Sequence, residues 1–249
     1  MVSEDVNVEQ GGVQSEEGAA LMGRAAVLIW NDVAPEKRAQ FYAWHDREHV
    51  PERLSLPGFL RGRRYARAGH SPEWLTIYEA VDVLALVSPT YLARLNAPTA
   101  ATTRTLAYFR NTSRAVCRRV HSVGSSSGGH MLAMRMSVDP ARADAMSRYL
   151  RNDAFPRALA ATGVVACHLF AADASASYVD TAESSTRAFD VPAWVLLCEA
   201  SNADAAERAR GIIASGEFAR LGVEIRDDAA VYALEICGLS PAVIAAGAA

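Results

Sequence analysis

The feature that most constrains this chain is that one order of hydrophobic segments occurs twice. Residues 25–33 (AAVLIWNDV) form an apolar run rich in β-branched side chains, the composition of a strand. Pro35 and Glu36 open a helix, with proline in the first turn where no backbone donor is missed, and Pro51 is expected to end it. Pro57-Gly58 signals a turn. Residues 59–68 and 74–81 then read as two strands, a second helix opens at Ser88-Pro89 and continues to Phe109, and 113–123 supplies a fourth strand. After a Ser/Gly-rich linker at 122–129 (SVGSSSGG) the order returns, with strands at 130–138, 164–172, 193–200 and 229–237 and helices at 141–161 and 203–219.

Strand, helix, strand, strand, helix, strand is the split βαβ, or ferredoxin-like, unit, in which two helices cover one face of a four-stranded antiparallel sheet. The uncovered face must be buried by something else. The predicted fold is therefore α+β, with two tandem ferredoxin-like repeats whose antiparallel sheets pack into an α/β barrel. Residue matches support an internal duplication. Pro57-Gly58-Phe59 recurs 105 positions later as Thr162-Gly163-Val164, and Val50-Pro51 recurs at the same offset as Phe155-Pro156. Trp74–Ala80 (WLTIYEA) recurs 120 positions later as Trp194–Ala200 (WVLLCEA). The 15 extra residues fall between Asp173 and Pro192, a Ser/Ala-rich stretch expected to be a mobile hairpin insertion. This divides the chain into a flexible acidic tail (1–22), a first repeat (23–124), a second repeat (125–238) and a loosely packed apolar C-terminal tail (239–249) that offers a contact for a homodimer.

Composition narrows the function classes. A formal net charge of −3 gives no bulk attraction to nucleic acid or anionic membranes, and the local arginines at 61, 63, 64 and 67 lack the surrounding basic, aromatic face that nucleic-acid binding requires. Cys117, Cys167, Cys198 and Cys237 are too far apart for a metal ribbon or redox motif and read as buried thiols. No apolar run spans a bilayer and the N-terminus has no secretory pattern, so the expected location is cytoplasmic.

The chemistry-bearing stretch is FYAWHDREHVPERLSLPGFLRGRRY, from Phe41 to Tyr65. His45 and His49 stand at i and i+4, on one helix face, able to hold a metal or to divide proton transfer between a base and its orienting partner. The same five residues fit H-x-x-E-H, the inverted zinc-protease pattern, but no downstream helix offers an obvious third carboxylate ligand. The plain alternative is that His49 caps a helix C-terminus and His45 is exposed. At the 105 offset His49 becomes Ala154, so the histidine belongs to one repeat alone, as a site on a duplicated scaffold would. Strand parity puts Phe59, Arg61, Arg63 and Tyr65 on one face of the second strand, Arg64 on the other, and Trp74, Thr76 and Tyr78 together on the third. The other histidines, His70, His121, His130 and His168, read as structural or exposed.

The run W-x-x-x-E-H-x-P-E-R-L-x-x-P-G-F-x-x-x-R-R-Y, from Trp44 to Tyr65, resembles the dimeric α/β-barrel superfamily, in particular its EthD-like branch. The Trp74–Ala80 strand resembles that branch too, and together the match covers about 40 residues of the first repeat. The resemblance implies sheets facing each other around a small-molecule cavity. The wider superfamily includes muconolactone-type isomerases, polyketide cyclases, cofactor-free quinone-forming monooxygenases and haem-binding enzymes. Carried over, His49 is the acid–base candidate with Glu48 beside it and His45 as an uncertain partner. Arg61, Arg64, Tyr65, Trp74, Tyr78 and Trp44 are candidate substrate contacts. The expected function is a cofactor-independent lyase, isomerase or cyclase acting on a small carbonyl-bearing, aromatic or polyketide-like compound, with no cofactor and no metal. The alternatives are a binding protein without turnover, or a haem or metal enzyme using His45 or His49.

Overall fold

The computed structural model describes residues 20–247. The acidic tail expected over 1–22 lies outside the described residues up to position 19. Ala20 and Leu21 are already buried, Leu21 among the barrel's interior side chains. Nine strands follow among the described residues: β1 (Ala25–Val33), β2 (Phe59–Ala66), β3 (Trp74–Ala80), β4 (Phe109–Val123), β5 (His130–Ser137), β6 (Val164–Ala172), β7 (Trp194–Ala200), β8 (Glu224–Ile225) and β9 (Ala230–Leu239). The first half forms a sheet in the order β4-β1-β3-β2 and the second in the order β6-β7-β5-β9. Pairing of β4 with β6 and of β2 with β9 joins the sheets edge to edge into a closed, eight-stranded antiparallel barrel, leaving no long open edge. Short β8 adds to β5.

Eight strands enclose only enough room for side chains. Trp30, Tyr65, Ile77, Met131, Phe170 and Tyr232 fill it. The cavity that the resemblance implied between the sheets is therefore absent from the barrel interior, and the helices leave the available space on the outside. The interior also holds a charged network. Arg63 Nη1 reaches both Glu199 oxygens at 2.9 and 3.0 Å, and Arg61 Nε donates to Glu79 Oε1 at 2.7 Å. His168 bridges Ser122 Oγ (2.7 Å) and Glu199 Oε1 (3.4 Å). Burial raises the Glu199 pKa, but the hydrogen bond from His168 and the Arg63 charge outweigh it and pull the carboxyl down to about 2.

The two halves share local devices. Gly58 and Gly163 both adopt positive φ, at +85° and +90°, in the turn before the second strand of each half. An extra residue bulges β2 at Leu60 and β6 at Val165. The bulge overturns strict parity in β2: Phe59 packs outside the barrel with Tyr78, while Arg61, Arg63 and Tyr65 turn inward.

The first helix does not end at Pro51. It runs through α-helix Arg38–Trp44, a π-turn His45–His49 and α-helix Val50–Leu54. Pro51 lacks the donor that would close on Arg47, and the widened turn just before it, with Val50 N bonded to His45 O, lets the proline ring fit without breaking the helix. The second half repeats this at Leu150–Ala154, ahead of Pro156. The single helix expected up to Phe109 is two, Pro89–Asn96 and Ala100–Leu106, because Pro98 interrupts it and Thr99 caps the second piece. The 203–219 helix likewise divides into Ala203–Ile213 and Gly216–Arg220. At the C-terminus Pro241–Gly247 is helical.

The insertion at 173–192 is a fixed strap and not a free hairpin. Its short helix Ala174–Ser177 is pinned to β4, where Ser177 Oγ accepts from Val116 N at 2.9 Å, and Asp190 bridges Ser113. The strap thereby crosses the outer face of the first half's sheet. Among the described residues no helix is long and apolar enough to cross a membrane.

Candidate functional site

Beneath the 38–54 helix, between it, the outer face of the first sheet and the strap, lies a narrow cleft. His45 and His49 line it, 3% and 6% exposed, with ring centroids 5.8 Å apart. The π-turn keeps both on the same side of the helix. Trp44 stacks on His49 at 4.2 Å and is itself held by a bond from its Nε1 to Thr102 Oγ1 at 3.1 Å. From the sheet come Asn31 on β1, Thr76 and Tyr78 on β3 and Arg114 on β4. Gly62 on β2 lies under the Tyr78 ring, where an added Cβ would stand 3.2 Å from it.

Hydrogen bonds give the two histidines different characters. Arg64 Nη1 lies 2.9 Å from His45 Nδ1, and a guanidinium only donates, so Nδ1 accepts and the proton sits on Nε2. That Nε2–H faces the Tyr78 hydroxyl oxygen at 3.5 Å, which leaves the Tyr78 proton free for the cleft. His49 Nδ1 is buried and has no hydrogen-bond partner among the described residues. Burial lowers the pKa of both histidines well below the usual imidazole value. The Arg64 charge adds to this at His45, and the charges of Arg53, Arg187 and Arg94 add to it at His49. Both rings are neutral at pH 7. Burial keeps the Tyr78 phenol protonated, far above its ordinary range.

The expected site residues separate accordingly. His45, His49, Trp44 and Tyr78 come together. Glu48 does not join them: it turns away to accept from the Thr99 hydroxyl, clasping the helix to Ala100–Leu106. Arg61 and Tyr65 point into the barrel, as the bulge in β2 dictates. Trp74 lies on the outer face but beyond the cleft, packed on Phe41 at 5.0 Å and bonded to Tyr42. Arg64 touches His45 and Asp46 and not the cleft. Neither histidine is an exposed helix cap.

Sequence reasoning missed Arg53, Arg114, Glu183 and Arg187. Arg53, 2% exposed, pairs with Glu183 of the strap and so ties the histidine helix down across the cleft. Arg187, also on the strap, lies over the Phe109 ring at 5.2 Å. The available signal was the insertion itself, present in one half of the chain and carrying a charged pair, Glu183 and Arg187, in a Ser/Ala-rich stretch. At matching positions of the second half, His45, His49, Thr76 and Tyr78 become Leu150, Ala154, Leu196 and Cys198, all within a closed apolar core.

These residues do not fit a metal or haem. His45 is engaged at both nitrogens, His168 lies inside the barrel, and arginine cations surround the cleft and oppose a metal cation. Among the described residues no three His, Cys, Asp or Glu side chains form a metal-holding group.

No family model matches the sequence, and no curated protein matches it. Solved structures do. An anthrone oxidase-like protein is similar over 90% of this chain and 96% of its own, with a TM-score of 0.63 at 11% identity. A chlorite dismutase mutant from Candidatus Nitrospira defluvii is similar over 85% and 91%, with a TM-score of 0.54 at 9% identity. A monooxygenase-like protein from Fusobacterium nucleatum subsp. nucleatum ATCC 25586 is similar over 88% and 95%, with a TM-score of 0.50 at 10% identity. The chain thus has the dimeric α/β-barrel fold, closed here within one polypeptide.

Proposed function

We propose that the protein is a cofactor-independent acid–base enzyme, a lyase, isomerase or cyclase acting on a small carbonyl-bearing, aromatic or polyketide-like compound, and that it arose by tandem duplication within the EthD-like branch. His49 takes a proton from the carbon next to the carbonyl. The Tyr78 hydroxyl, oriented by His45, donates to the enolate oxygen that forms. The proton on His49 then returns to another carbon, or the electron pair expels a leaving group. Arg64 acts behind His45 as a positioning residue, and Trp44 fixes the plane of His49. Exposed Leu239 and Ile244 are the proposed homodimer contact, and the proposed location is the cytoplasm.

The observation that carries this reading is the exchange of an apolar quartet for His45, His49, Thr76 and Tyr78 around an open cleft. A buried polar group without full pairing costs about 1–3 kcal/mol, and the second half shows that the same scaffold closes without it. The neighbour's name, anthrone oxidase-like, is compatible with the same first step, deprotonation of a carbon acid.

Hydrogen exchange from solvent tests the proposal before any product is known. Anthrone and 2-tetralone are incubated in D₂O under nitrogen with the protein and followed by NMR. Catalysed exchange is expected, falling about 10²-fold or more in His49→Ala. No exchange above buffer with the wild-type protein would favour a binding protein without turnover.

A further inference from the structure

Among the described residues two cations beside the histidines form no salt bridge, although the Glu183 carboxylate, paired with Arg53, shares their lining and acts on Arg187 through space. Arg114 and Arg187 are half-buried, and the buried arginines around them are matched: Arg53 with Glu183, and Arg64 with Asp46 and Glu235. Arg114 and Arg187 have no carboxylate partner among the described residues. Arg114 makes only long bonds, to Ser177 O at 3.4 Å and Tyr91 Oη at 3.5 Å. Arg187 donates to Thr186 Oγ1 at 3.1 Å and Glu183 O at 3.4 Å, while its Nε is buried with no partner. Both line the histidine cleft and also an adjoining narrow hollow under the strap.

We infer that Arg114 and Arg187 form a carboxylate-binding subsite, and that the substrate is a planar aromatic acid whose carboxylate lies between these guanidiniums while its ring extends toward Trp44 and Tyr78. This inference rests on the reading of the same cleft as the substrate site. Two like charges sharing one wall repel unless an anion separates them, and burial together with Arg114 pulls the Arg187 guanidinium down to about 10, Glu183 offsetting only part of this. The guanidinium fork matches a carboxylate in geometry and charge. The lining supplies flat apolar faces at Trp44, Tyr91 and Phe109 for the ring. An anion here also offsets part of the positive field that depresses His49, so a bound acid substrate makes its own base stronger.

Calorimetric titration with benzoate and its neutral isostere benzamide tests the subsite. The wild-type protein is expected to bind benzoate at least tenfold more tightly than benzamide. Arg187→Gln and Arg114→Gln are expected to abolish that preference, and Arg187→Lys to keep part of it. Thermal melting reports folding, and if the β4 variant does not fold, the strap variant decides, because its side chain lies outside the barrel. Equal affinities, no benzoate binding, or an unchanged preference in Arg187→Gln would overturn the inference. Benzoate binding involves no proton transfer. Its failure therefore leaves exchange of neutral ketones untouched, and loss of the acid–base reading leaves the benzoate preference standing.

Discussion

Arg64 Nη1 stands 2.9 Å from His45 Nδ1, and this contact fixes the tautomer of a buried histidine from outside the cleft. Through it a residue on β2 decides where the Tyr78 hydroxyl points. In Arg64→Met the His45 proton is no longer confined to Nε2, and the charge that helps depress its pKa is gone. The expected result is a mixed-tautomer ¹⁵N signature for His45, a raised His45 pKa and carbon-acid exchange slower by about tenfold. An unchanged tautomer signature would show that Arg64 only packs.

Three buried histidines make stability depend on pH in a definite direction. His45, His49 and His168 all have folded pKa values below the ordinary imidazole value, chiefly through burial. The unfolded chain therefore takes up protons that the folded state refuses. These residues leave stability unaffected above about pH 7, and stability falls as pH drops below about 6.5 toward the folded values, by up to about 1.4 kcal/mol per unit for each imidazole. Urea midpoints between pH 8 and 5 measure the slope.

His45→Leu copies what the second half carries at Leu150. Arg64 keeps Asp46 and Glu235, so no buried charge is stranded. The variant is expected to be at least as stable as the wild type at pH 7, with a shallower acid slope, yet to exchange carbon-bound hydrogen more slowly because Tyr78 loses its partner. Melting curves and exchange rates measured together check this trade.

Arg63→Met separates fold from chemistry. It removes the cation between Glu79 and Glu199 inside the barrel, far less replaceable than a surface charge. A loss of about 3–5 kcal/mol is expected by denaturant titration, because Glu199 loses its only arginine among the described residues while Glu79 keeps Arg61. The folded fraction should retain the wild-type exchange rate per molecule, since the network lies on the opposite face of the sheet from the cleft.

Much of the fold was legible because its signals are local. The strand runs, Pro57-Gly58 with its partner at Gly163, and the Trp-to-Ala strands at 74 and 194 locate all eight barrel strands to within a few residues. His45, His49, Trp44 and Tyr78 were legible as a group because one helix and one strand deliver them. Features set by tertiary geometry were hidden. One bulge at Leu60 sent Arg61 and Tyr65 inward, and a π-turn carried the helix past Pro51. Glu48 was drawn away by Thr99, a residue 51 positions on. Arg114 and Arg187 meet only because the strap folds back over the first half's sheet, a contact that no periodicity encodes.

The central claim is that His49 moves the proton, and chemical rescue tests it most directly. Ala154 occupies the matching helix position in the second half, so His49→Ala is expected to fold and to leave a ring-sized space against Trp44. Exchange of anthrone in D₂O is measured for this variant with and without added imidazole. Restored exchange that saturates with imidazole, and is absent when imidazole is added to a Tyr78→Phe, His49→Ala double variant at the same level, is the predicted result. Wild-type exchange in His49→Ala without imidazole would contradict the account.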